Sequence, residues 1–367
     1  MTHQSVSPAT QAKFARSVLK DHLHVKPGER VIVEAWTHTL PWAVALAREA
    51  RHMGAQVLLP YEDEDAYWDV VRGGHERVLG KPAAHEWAAL ENTNVYIHMW
   101  GPGDRIRLNA LPPTQQNRLF EFNNKWYATA KKRGVRGVRL EIGRPYPTLT
   151  KAYKADEGRW ISDLVRGTMV SSDSMARVGR PIARALERGK RLRIRDARGT
   201  DLTLGLLQRP VRIDTGVPTP AERKRPFNQL VTLPTGAVSV ALDESVADGT
   251  IVGNRTNYYD DTIATGGVFQ FRNGKLTHAE FATGGDRFDR EFKKGGKGRD
   301  QPGQLRIGLN PELHNTPQLE DRELGAVMVS LGNNRFYGGK NLSNLFAWVI
   351  NAGAAVEVDG KPLQMGR

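Results

Sequence analysis

The chain contains no cysteine. That absence excludes disulfides, thiolate nucleophiles, iron–sulfur clusters and zinc–thiolate sites. Any metal would rest on histidine and carboxylates, and any nucleophile would be Ser, Thr, Asp, Glu, Lys or water. No apolar run reaches the ~18 residues that a spanning helix needs, so no membrane segment is predicted. The start of the sequence has no apolar stretch ahead of a small-residue cleavage site; no secretory signal is read, and a cytoplasmic location is expected. The ten histidines form no HExxH or HxxxH pair. Zinc-finger spacing, an RNP-type aromatic motif and a basic heptad are missing as well, which disfavours a nucleic-acid partner.

What is present is ordinary for a folded chain. At 367 residues, with 39% hydrophobic and 25% charged side chains, it is neither disordered nor collagenous and exceeds the size of one usual core. Two domains are expected, residues 1–185 and 186–367. The 53 basic against 40 acidic residues give a net charge of +13, spread as a solvated basic surface with densities at 131–139, 177–198 and 223–225.

Hydrophobic periodicity divides the chain. Helices are predicted over 9–23, 40–53, 115–133 and 171–189, a buried strand over 30–35, and further strands over 56–60, 93–100 and 137–142. Strand, helix and strand joined by short turns imply a parallel sheet. From Lys190 the pattern changes to short alternating strands: 191–196, 201–206, 250–254, 262–272, 275–282, 304–309, 326–331 and 354–358. Arg272-Asn-Gly-Lys275 reads as a hairpin turn, and 286–297 as a helix followed by a loop. The fold class is therefore an α/β N-terminal domain with a parallel sheet plus a mainly antiparallel α+β C-terminal domain.

Candidate chemistry falls on loops at strand ends. Gly101-Pro-Gly-Asp104 follows a strand but lacks phosphate-loop spacing, and a plain turn accounts for it. The loops 332–334 and 338–343 carry Gly, Asn and Ser, which let backbone and amides approach a ligand. His98 sits on an apolar strand and reads as a core or rim residue; His22 and His24 read as surface residues at a helix end. His314 follows a buried strand, a usual place for a general base. Asp243 and Glu244 end the run Ala237-Val-Ser-Val-Ala-Leu242 and, with Asp321, are further acid–base candidates. Asn333, Asn334, Asn341, Ser343 and Asn344 can donate to an anion.

Seven segments in order resemble the aminopeptidase T/S-type metallopeptidase family and its dihydroxypyridine-dioxygenase relatives. They are Val25-Lys-Pro-Gly-Glu-Arg-Val31, Gly199-Thr-Asp-Leu202, Leu233-Pro-Thr-Gly236, Gly249-Thr-Ile-Val252, Gly308-Leu-Asn-Pro311, Leu331-Gly332 and Gly338-Gly339 through Ser343. The resemblance implies the two-domain fold above, a homodimer, and metal ligands at five positions. Those positions hold Ala237, Gln304, Met328, Phe346 and Trp348 here, where the family has carboxylates and histidines.

Such replacements imply no metal and no cofactor. If the old pocket persists, its thioether and rings would accept a flat apolar ring, making these five positions part of a substrate site. The resulting expectation is a metal-independent hydrolase of a small, electron-poor N-heteroaromatic compound, with hydrolytic denitration of a nitroheterocycle such as a nitroimidazole as the specific case. A non-catalytic binding descendant and a residual aminopeptidase are the alternatives.

Overall fold

A computed structural model describes residues 6–73, 80–224, 228–259 and 262–366; His75 and Arg225 lie outside them. The chain forms two compact units, Met1–Met169 with Gly216–Pro234, and Val170–Thr215 with Thr235–Arg367.

The first unit is built on a five-stranded parallel sheet in the order Leu230–Leu233, Arg136–Leu140, Val95–Met99, Arg30–Val33, Gln56–Leu58. Val31, Val33, Val95, Ile97, Met99, Val138 and Leu140 are buried along it, as strands flanked by helices require. Within this sheet Gln56–Leu58 lies on one side of Arg30–Val33, and the next strand in chain order, Val95–Met99, on the other. The connection therefore reverses direction between Arg30–Val33 and Val95–Met99. Helix Leu40–His52 ends before Gly54, whose φ of 82° supplies the left-handed residue of the stop.

Two local expectations fail here. The first helix is regular only over Pro8–Arg16 and continues as a wider π-type turn, Ser17–His22. That turn carries His22 inward, where its ring nitrogens meet Gly216 O at 3.2 Å and Thr168 O at 2.8 Å. Burial lowers its pKa, so the residue expected at the surface is a neutral core group. The helix predicted over 115–133 is two, Pro113–Leu119 and Asn123–Arg133, the second closed by left-handed Gly134.

The second unit is antiparallel. One sheet orders Phe346–Ala352, Ala326–Gly332, Pro302–Gly308, Ala237–Ala241 and Arg212–Asp214. A seven-stranded sheet runs from Lys275–Glu280 through Val268–Arg272, Ala247–Val252, Asp201–Gly205, Arg191–Arg195 and Ala355–Val358 to Lys361–Pro362. The Arg272–Lys275 hairpin forms as expected, with Asn273 and Gly274 both at positive φ. One core joins Val238, Leu305, Val327 and Val349 of the first sheet to Leu192, Leu202, Ile251 and Phe269 of the second, with Ile182 and Leu186 from helix Ser172–Arg188. Because strand side chains alternate between faces, the other face of the five-stranded sheet is left to carry the site.

Candidate active site

Register decides which side chains share that outer face. Ser239 pairs with Arg306, Arg306 with Met328, and Met328 with Ile350. Two residues along each strand, Ala237, Gln304, Ser330 and Trp348 point the same way, as does Phe346. The five positions that the family resemblance assigns to metal ligands thus share one face of one sheet. Ala237, Gln304 and Met328 are buried there and Phe346 is exposed. A methyl, a neutral amide, a thioether and two rings do not form the donor set of a catalytic transition-metal pair. Among the described residues, no group of three or more His, Asp and Glu side chains is placed to hold a metal ion. The residues present do not fit the metals that the family resemblance implies.

An open cavity of about 540 Å³ lies over this face, lined by Gln304, Arg306, Asn333, Phe336, Tyr337, Ser343, Asn344 and Phe346. Five of the eight were expected from sequence. Arg306, Phe336 and Tyr337 were not, although Arg306 is two residues from Gln304 and so had to share its face.

Arg306 is the central group. Its Nη1 donates to the Asp321 carboxylate, Nη2 donates to the Tyr337 hydroxyl at 2.6 Å, and Nε donates to Ser239 Oγ at 3.2 Å. Burial opposes its charge, but Tyr337, Asp321 and Asp214 outweigh that and hold the guanidinium protonated above its ordinary range. Of the five N–H donors on a guanidinium, these bonds use three, leaving one on each Nη.

Glu320, beside Asp321, was missed. Its Oε1 accepts from Tyr258 N at 3.3 Å, and Oε2 has no partner among the described residues. Burial first, and then the Asp321 charge, push its pKa up to about 8. No sequence pattern separates this carboxyl from its neighbour; only burial does.

The remaining expected residues divide by environment. Trp348 packs its ring 5.2 Å from Phe346 and 5.1 Å from Tyr259. Glu244 accepts from both Nη atoms of Arg209 at 2.8 and 2.6 Å, from Asn334 Nδ2 at 2.8 Å and from Lys340 N at 2.9 Å. Burial acts to raise its pKa, but these donors overcome it and hold the carboxyl at about 2. It anchors the 333–343 loop as a fixed anion. Asn334 and Asn341 continue that scaffold: Asn341 N donates to Asn334 Oδ1 and Asn341 Nδ2 to Gly298 O. Asp243 caps its own turn through Ser245 N and Oγ. His314 is exposed and does not line the cavity.

No family profile and no curated protein sequence matches the chain. Solved structures do. Wild-type AmpT from Thermus thermophilus is similar over 97% of this chain and 98% of its own, with a TM-score of 0.71 at 19% identity. The 2,5-dihydroxypyridine dioxygenase from Pseudomonas putida KT2440 covers 98% of this chain and 96% of its own, with a TM-score of 0.58 at 16% identity. At these identities the likeness establishes the fold: this chain has an AmpT-like architecture, a parallel α/β unit followed by an antiparallel unit.

Proposed function

We propose that the chain is an enzyme, a hydrolase that uses water without a metal on a small, electron-poor N-heteroaromatic compound. The observation that carries this reading is the guanidinium of Arg306, held charged with two N–H donors unspent, in a cavity with Phe336, Tyr337 and Phe346 in its lining. Flat aromatic walls suit a ring. A preorganised cation stabilises charge that develops when water adds to the ring carbon. An activated ring supplies its own electrophile, so the missing metal donors matter less than for an amide.

In this reading Asp321, the carboxylate beside Arg306, takes the proton of the attacking water. The C–O bond forms as negative charge spreads into the ring, and the C–N bond to a nitro substituent then breaks to release nitrite. The known chemistry of AmpT and of the dioxygenase belongs to those proteins; the ring preference of the second is in keeping with the pocket proposed here. We further propose a homodimer, in keeping with the exposed Phe336, Leu342 and Phe346.

The test is release of nitrite or halide from nitro- and halo-imidazoles and pyridines under metal-free conditions. Turnover that is lost in Arg306→Gln supports the proposal. Cleavage of a di- or tripeptide with no ring turnover overturns it in favour of an aminopeptidase; neither activity, with saturable ring binding, leaves a binding protein.

A further inference from the structure

The first unit carries a second constellation, built from residues of that unit alone. It stands at the carboxyl ends of Arg30–Val33, Val95–Met99 and Arg136–Leu140, at the reversal in strand order. In open parallel sheets that crevice is where ligands bind. Glu34 follows the first strand and is fixed to the second by its N–H, which donates to Ile97 O at 2.9 Å. Its carboxylate pairs with His98 Nδ1, and both side chains remain part-exposed.

That pairing has a chemical consequence. A carboxylate on Nδ1 keeps the proton there, so Nε2 presents a lone pair, the arrangement of an oriented base. His98 is also in register with Arg139 on the neighbouring strand. Two residues on, Trp100 sets its ring edge-on to His98 at 5.6 Å. Three guanidinium carbons surround the same indole: Arg144 at 3.9 Å, Arg139 at 4.9 Å and Arg105 at 5.3 Å from its centroid. Glu141 offsets Arg144 and accepts from Trp100 Nε1 at 3.0 Å. Arg139 instead donates to the Tyr127 hydroxyl at 2.9 Å, and its buried Nε has no partner among the described residues. Tyr96, beside Glu34, has its pKa raised by burial and adds no negative charge.

We propose that this crevice is a binding site for a small planar acid, a ring bearing an ionisable O–H or N–H, which His98 deprotonates and the Arg139 side holds as the anion. On binding, the ligand O–H or N–H bond breaks and its proton joins His98 Nε2. The resulting imidazolium is paired with Glu34, and the ligand's negative charge faces the guanidinium groups. Nothing is oxidised, and no co-reactant is needed. The proposal stands independently of the ring hydrolase reading.

The experiment is a titration of the full chain with 4-nitrophenol, whose ionised form has its own absorption band. Saturable binding is expected, with the bound dye ionised at a pH where the free dye is mostly protonated. Arg139→Gln should weaken binding at least tenfold, and His98→Gln should abolish the ionisation shift. Glu34→Gln should retain dye binding while reducing that shift, an outcome a merely structural role would not produce. Lys275→Gln, on an exposed hairpin of the other unit, should leave the titration unchanged. Absence of saturable binding overturns the proposal, as does loss of binding in Arg306→Gln but not in Arg139→Gln. Near-ultraviolet circular dichroism identifies a variant that fails to fold, and Arg139→Gln then decides the matter by itself.

Discussion

Asp321 and Glu320 are neighbours in the chain with opposite fates: Asp321 is ion-paired with Arg306, while Glu320 is buried with one oxygen unpartnered among the described residues. One sits as an anion because a cation meets it. The other stays neutral because water does not reach it and the adjacent charge repels its own.

Stability should therefore fall with pH over a defined window. The Glu320 pKa is raised from 4.5 to about 8 in the folded chain. Below 4.5 both folded and unfolded states hold the proton. Between 4.5 and about 8 only the folded state does, so unfolding gains on every step of rising pH. Glu320→Gln should remove that slope, leaving the variant more stable than the parent near pH 9 by on the order of a few kcal/mol. Urea melts across pH 4–9 measure it; parallel curves would refute the assignment.

Glu244 should show the opposite sign. Its folded pKa of about 2 lies below the ordinary 4.5, so its contribution is present above 4.5 and is lost as pH falls toward 2. Glu244→Ala leaves Arg209 buried without its partner and frees Asn334 and Lys340. A loss of about 2–4 kcal/mol is expected, with faster proteolysis in the 333–343 loop. Unchanged denaturant midpoints would remove Glu244 from the loop's framework.

Helical spacing with short apolar runs in the first half, and alternation in the second, made the class of both halves and most strands legible. The family resemblance, through its ordered motifs, named Gln304 and Phe346, which line the cavity. The Leu230–Leu233 strand was not legible: it joins a sheet whose other members lie roughly 90 residues or more earlier, and local pattern carries no such pairing. The Phe346–Ala352 strand was hidden by its mixed faces, with rings outward and Asn351 buried. Asn334 and Asn341, read as anion donors, scaffold a loop, since a sequence names donors but not their acceptors.

A metal prediction follows from the donor set at Ala237, Gln304, Met328, Phe346 and Trp348. The purified protein should carry no stoichiometric Zn, Mn or Fe, and chelators should leave its turnover unaltered. Elemental analysis with one metal per chain, or chelator-sensitive turnover, would show that ligands are assembled in some other way.

Arg306 supports the sharpest functional prediction. If it stabilises charge developing on the ring, Arg306→Gln should lower kcat by about 10²–10³, the range for loss of a preorganised donor. Arg306→Lys keeps the charge but loses the planar fork, and should recover only part of that rate. Asp321→Asn separates two roles. It removes the proposed proton acceptor while sparing the guanidinium, so kcat should drop, with KM for the ring changing little. Trp348→Ala, which opens the wall beside Phe346, should act mainly on KM. Steady-state nitrite release measures all four variants on one substrate. If Arg306→Gln and Asp321→Asn turn over like the parent while Trp348→Ala does not, the outer face binds the ring but its charged pair is not the catalyst.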